Sequence, residues 1–196
     1  IPLAPDVMVH VFPALHSCWW APFDDAHPNS PCFGAEEIDY FVREKLITGN
    51  MAEAMRGLSH DADLHLAESI NADGGDGGTY GYLIETVEGS LFFKDTPGHW
   101  TGIMKNISAD VAVLGVSGRP HVDGATHQGS LSEFAVAECN FLKAKRFIPC
   151  HHDNYLPGFS QPFGTAELAG AIHARTRAEF VELDYAGGYE LFCGLK

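Results

Sequence analysis

Cationic side chains are scarce in this sequence. Twelve Lys and Arg stand against 26 Asp and Glu, which leaves a formal net charge of -14 over 196 residues. That balance argues against nonspecific binding to nucleic acid, which needs cations to displace the counterions condensed on phosphates. The same balance argues against an anionic membrane surface. No apolar run approaches the roughly 20 residues needed to cross a bilayer, and no signal peptide is visible. A cytoplasmic location is therefore the default expectation. The first residue is Ile1, not Met, so an upstream signal stays open. Cysteine spacing is equally uninformative: Cys18, Cys32, Cys139, Cys150 and Cys193 include no C-x-x-C pair, which excludes a zinc ribbon or a thioredoxin-type motif. Scattered thiols in odd number fit a reducing compartment, with a Cys18–Cys32 bridge as the pairing left open. There is no G-x-S-x-G elbow for a nucleophilic serine. The glycine-rich "GGDGG" at 74–78 has no G-K-[ST] and opens no evident helix, so it is not read as a phosphate loop. No repeat appears at periods of roughly 20 to 50 residues.

What is present is an ordinary globular composition, 45% hydrophobic and 19% charged, in a length that suits one domain with a real core. Eleven histidines beside the carboxylate excess suit divalent metals. "VMVHVF" (7–12) alternates and is β-branched, which predicts a strand. Residues 13–34 are rich in Pro, Asp, Asn and Ser and read as loop. A helix is expected over 35–46, with Ile38, Phe41, Val42 and Leu46 on one face, a second over 51–58, and a polar connector over 59–81. "GYLIETV" and "LFFKD", separated by "EGS", predict a hairpin. A short helix is expected within "GHWTGIMKN", and the apolar run "DVAVLGV" (110–116) reads as a strand buried on both faces. Ser130 precedes Glu133 by three residues, a capping-box spacing that opens a helix carrying Leu131, Phe134, Ala137 and Phe141 on one face. "RFIPC" (146–150) is a short strand, 165–177 a helix capped by Thr165, and "FVELD" with "YELFC" a closing hairpin around "YAGG". Strands alternating with helices predict a layered α/β domain over 1–196, with a helical and loop insert at about 17–78.

Three metal-capable side chains hold equivalent places in that scheme. His16 follows the first strand, Asp95 ends "LFFKD", and His151 ends "RFIPC". Sites in layered α/β folds collect at strand ends, where loops vary over a rigid sheet. Two imidazoles and a carboxylate suit Zn²⁺, and their wide separation in sequence calls for a site built by the tertiary fold, not a local finger. Spacing leaves a second reading of each: a loop histidine, a turn-opening Asp before Thr-Pro, and a histidine satisfied within the fold. His152 and Asp153 read as support or pocket wall, because adjacent side chains at a strand end diverge. Arg119, His121 and His127 lie in "SGRPHVDGATHQG" (117–129), which either rims the site and binds an anionic group of a small-molecule substrate or is an ordinary surface loop. Trp19 and Trp20 read equally as pocket wall, core or interface anchors, so a homo-oligomer stays open. Ser17 beside His16 and Cys150 beside His151 are sequence neighbours and not triads.

The ordered segments "VFPALHS", "GYLIE…GSLFFKDTPG", "DVAVLGVSGRP" and "RFIPCHHDNY" resemble the later part of the metallo-β-lactamase-fold hydrolases, most closely the branch with ascorbate-6-phosphate lactonase-like proteins. The resemblance covers residues 7–20 and 79–155. It implies an αββα layered fold, with His16, Asp95 and His151 as metal ligands and Asp95 bridging two ions. The ions implied are Zn²⁺, with Mn²⁺ or Fe²⁺ admitted, and they activate water against an ester, lactone, thioester, amide or phosphodiester. The family's H-x-H-x-D-H motif is absent, and "SHDADLH" (59–65) has its residue types at other spacings and in a later position. The expectation is therefore a chain lacking the N-terminal part of that fold, holding less than one tightly bound zinc per chain. The rival expectations are a non-catalytic scaffold or binding relative that has lost the dinuclear site, and a mononuclear site with another role.

Overall fold

A hairpin at the middle of the main sheet sets the direction of everything else. β3 (Tyr80–Thr86) pairs antiparallel with β4 (Ser90–Lys94), from Tyr82 opposite Phe93 to Glu85 opposite Ser90. Its turn is closed by Thr86, whose hydroxyl accepts from the amides of Glu88 and Gly89 at 3.2 and 3.3 Å. A side chain at Gly89 would strike the Phe192 ring at 2.7 Å. The computed structural model describes residues 1–17, 79–118, 120–123, 125, 126, 129–152, 164–184 and 186–195. The helices expected over 35–46 and 51–58, most of the loop and connector around them, the Cys18–Cys32 pair, Trp19, Trp20, Arg119, His127 and Asp153 lie outside the described residues.

β2 (Val7–Pro13) runs antiparallel along the other side of β3, from Val7 opposite Thr86 to Pro13 opposite Tyr80. A short β1 (Pro2–Ala4), which no alternation announces, folds back onto β2 at the sheet edge. Beyond β4 the sheet is parallel. β5 (Gly98–His99) and α1 (Thr101–Met104) lead to β6 (Val111–Gly115). β7 (His121–Val122), β8 (Ala125–Thr126) and α2 (Leu131–Leu142) lead to β9 (Arg146–Cys150), and α3 (Thr165–Arg175) leads to β10 (Glu179–Phe180). The seven-stranded order is β1-β2-β3-β4-β6-β9-β10, with β5, β7 and β8 in a small second sheet. The described residues thus form a mixed α/β structure, as the alternation of elements predicts. No helix among them is long and apolar enough to cross a membrane.

The core lies between β4, β6 and β9 and the helices. Phe92, Ala112, Leu114 and Phe147 from the strands meet Ala135, Cys139 and Leu142 of α2 and Leu168 and Ile172 of α3. The capping box forms as expected: the Ser130 hydroxyl accepts from the Glu133 amide at 3.1 Å, and the Glu133 carboxylate accepts from the Ser130 amide at 3.0 Å. The buried face of α2 differs from the expected one. Phe134 is buried, but Leu131, Ala137 and Phe141 are only half-buried, and Ala135, Val136, Glu138, Cys139 and Leu142 are inside. α2 lies against β6, α1 and α3 together, so no single stripe faces the core.

Two further expectations are corrected. Thr165 is the first residue of α3 and not its cap. The cap is Gly164, without a side-chain bond, and the Thr165 hydroxyl donates to the Glu182 carboxylate at 3.0 Å instead. The closing hairpin does not form. Only Glu179–Phe180 is a strand, and it pairs in parallel with β9. The physical reason is Arg146, whose guanidinium takes Glu179 at 2.8 Å, the Leu191 carbonyl at 2.7 Å and the Cys193 carbonyl at 3.2 Å, with its Cζ 5.3 Å from the Tyr189 ring. Carbonyls directed at that cation hold the chain out of the sheet, with 191–194 as turns.

Candidate functional site

β2 and β4 are both antiparallel to β3, and β4, β6 and β9 are mutually parallel. All four therefore finish at the same edge of the sheet. His16 stands three residues past Pro13, Asp95 directly past Lys94, and His151 directly past Cys150. The three histidine and aspartate positions singled out from sequence thus share one sheet edge, with the segment after β6 among them.

Two glycines let the chain segments approach there. A Cβ on Gly115, the last residue of β6, would lie 2.1 Å from the Asp95 carbonyl oxygen and 2.5 Å from the Thr96 nitrogen. A Cβ on Gly98 would lie 2.2 Å from the Leu15 carbonyl oxygen and 3.0 Å from that of His16. Hydrogen bonds then fasten the segments. The Ser17 amide donates to the Thr96 hydroxyl oxygen at 2.9 Å, the Leu15 amide to the Gly98 carbonyl at 3.4 Å, and the Val116 amide to the Cys150 carbonyl at 3.0 Å.

His16 is half-buried, its Nδ1 3.1 Å from the Ser17 hydroxyl. His121 is fully buried, and its Nδ1 lies 2.9 Å from the His16 carbonyl. Since a carbonyl can only accept, Nδ1 carries the proton. His121 therefore faces inward and holds the backbone of His16. Asp95 and His151 are exposed. His151 sits at φ 56°, in the left-handed region. That conformation is uncommon for a residue with a Cβ, although His adopts it more readily than most. His152 is half-buried, with Nε2 3.9 Å from Glu182 and Nδ1 without a hydrogen-bond partner among the described residues. Burial pushes the Cys150 thiol up to about 12, and the nearby Asp95 carboxylate adds to the shift. A thiol held that high is mostly protonated near neutrality, which argues against a nucleophilic role for Cys150. Among the described residues, no three or more His, Cys, Asp or Glu side chains come together as a metal-holding group.

One cluster behind this edge has no counterpart in the sequence reading. Lys94, the last residue of β4, is fully buried. Its Nζ donates to Glu138 Oε1 of α2 and to the Gly98 carbonyl at 2.9 Å. The same Glu138 oxygen accepts from His99 Nδ1 at 2.8 Å. Phe134 stacks on the His99 ring with centroids 5.2 Å apart, and Lys94 Nζ lies 5.2 Å from the Phe134 centroid. Burial lowers the Lys94 pKa from the ordinary lysine value, opposed by the Glu138 charge. The available signals were a lysine closing an apolar strand and a glutamate inside "AVAECNF". Neither names the other.

No family model matches the chain, and no curated protein matches it.

Proposed function

We propose that this chain carries the later part of a metallo-β-lactamase-like fold and serves a metal-dependent hydrolase acting on a small-molecule ester, lactone, amide or phosphodiester. The observation that carries the reading is the placement of His16, Asp95 and His151 past the ends of β2, β4 and β9 at one sheet edge. The fit to a metal is one of donor chemistry. Two imidazoles and one carboxylate are a zinc set with room for water, and Mn²⁺ or Fe²⁺ also accept such donors. Support comes from placement and donor type, since the described side chains are not drawn into one coordinating group. A bound ion would bring the pKa of its water toward neutrality and polarise the scissile oxygen.

The chain's own residues have narrower tasks in this reading. His121 fixes the backbone of His16 through its carbonyl. The Ser17–Thr96 bond keeps the His16 segment on the Asp95 turn. Gly115 lets that turn lie against the end of β6. His152, half-buried beside His151, is assigned to the pocket that receives substrate.

Zinc titration calorimetry and metal analysis of the purified chain, wild type against Asp95→Ala, test the proposal. The expected result is less than one tightly held zinc per chain, lost in the variant, and weak or absent turnover of lactone and ester substrates by this chain alone. Zinc binding that is unchanged in Asp95→Ala would remove Asp95 from the centre. No zinc binding by the wild type would favour the scaffold or binding role.

A further inference from the structure

We propose that Lys94 and Glu138 are positioning residues, through which helix α2 grips both ends of the segment that carries Asp95. Alternation along β4 puts Lys94 on the same face as Phe92, which packs in the core. A methionine or leucine would fill that place without removing a charge from water. What an ammonium adds is a bond that no apolar side chain makes. Lys94 Nζ reaches the Gly98 carbonyl at 2.9 Å and closes the intervening turn, residues 95–97, from inside.

Glu138 holds that ammonium and, through the same Oε1, also takes His99 Nδ1 at 2.8 Å. One carboxylate of α2 thus anchors Lys94 before the turn and His99 after it. Phe134, one turn earlier on α2, stacks over the same His99 and Lys94. The Gly98 carbonyl in turn accepts from the Leu15 amide, next to His16, so the grip extends to both segments at the sheet edge. Glu138 is fully buried, and its Oε2 has no hydrogen-bond partner among the described residues. A charge kept in the core with one oxygen unsatisfied is poor design for stability alone. It is intelligible as a clamp. That the clamped turn belongs to a metal centre rests on the reading above; that it is clamped does not.

The test is the double variant Lys94→Met/Glu138→Gln, which leaves no unpaired buried charge. It keeps an acceptor for His99 and removes the Lys94–Gly98 bond. Amide hydrogen exchange, thermal unfolding and zinc calorimetry are read together. The expected result is an unfolding midpoint and β6 protection close to wild type, faster exchange at Gly98, and zinc affinity weakened about tenfold, as when a partner that orients a ligand is lost. Unchanged exchange at Gly98 in a folded variant overturns the proposal, and so does faster exchange with zinc affinity intact. If the wild type binds no zinc, the metal reading falls and the exchange at Gly98 still decides the clamp. Should the double variant not fold, the wild type decides. Gly98 must then exchange as slowly as the buried amides of α2, and much faster exchange overturns the clamp.

Discussion

The Ser17 amide donates to the Thr96 hydroxyl across 2.9 Å, joining the segment after β2 to the turn after β4. Ser17 is 4% and Thr96 6% exposed, so water cannot replace either partner. Thr96→Val keeps the shape and removes the acceptor. A buried donor left unsatisfied costs about 1–3 kcal/mol, and urea unfolding should show a loss of that size. Thr96→Ser keeps the hydroxyl and should stay nearer to wild type. A Val variant as stable as wild type would show that this bond does not hold the two segments.

Gly115 and Gly170 should respond to alanine with opposite signs. At Gly115 the new methyl meets the Asp95 carbonyl carbon at 2.2 Å and its oxygen at 2.1 Å, and backbone cannot swing aside as a flexible side chain can. Gly115→Ala is expected to cost at least about 1–3 kcal/mol and to displace Asp95. At Gly170, inside α3, nothing lies within 4 Å of the added Cβ. Gly170→Ala should raise stability by about 0.5–1 kcal/mol, the difference in helix propensity. Thermal unfolding of the two variants side by side checks the pair. A stable Gly115→Ala would mean that β6 and the Asp95 turn are farther apart than described.

Elements with a local cause were legible in the sequence. The hairpin of β3 and β4, the strands β6 and β9, and the Ser130–Glu133 capping box follow from alternation, apolar runs and short-range hydrogen bonding. Strand ends likewise marked His16, Asp95 and His151, since a polar residue ending an apolar run needs no partner to be noticed. Features made by distant pairs were not legible. Lys94 and Glu138 are each unremarkable until α2 is laid over the end of β4. The terminal hairpin of "FVELD" and "YELFC" around "YAGG" is expected from its local sequence, and it is prevented by Arg146, a residue of another strand. The buried face of α2 was misjudged because periodicity assumes one covered side, and this helix is covered by β6, α1 and α3.

Asp110 gives an acid-dependent contribution whose sign can be worked out. Lys145, at 2.9 Å, is the main cause that lowers its pKa, and the Ser90 amide and hydroxyl, each at 3.0 Å, add to it. A carboxylate with a depressed folded-state pKa stabilises above the ordinary aspartate value of about 3.9 and loses that contribution as pH falls through the folded-state value. Lys145 is half exposed, so solvent screening keeps the effect small. Asp110→Asn should be less stable than wild type near neutrality, with the gap closing in acid below the ordinary aspartate range. Denaturant unfolding across pH checks it. A gap that persists unchanged in acid would assign the stabilisation to the Ser90 bonds and not to charge.

Thiol reactivity should separate three cysteines cleanly. Burial pushes Cys139 up to about 11 and Cys150 up to about 12, whereas Cys193 is exposed. Alkylation proceeds through the thiolate, and at pH 8 a thiol with a pKa near 12 is ionised about once in 10⁴ molecules. Iodoacetamide at pH 8 should therefore modify Cys193 in the native protein and leave Cys139 and Cys150 unmodified until denaturant is added. Peptide mass spectrometry resolves each site. Rapid native labelling of Cys150 would mean that it lies open beside Asp95, and it would then have to be weighed with His16, Asp95 and His151 as a donor to the metal.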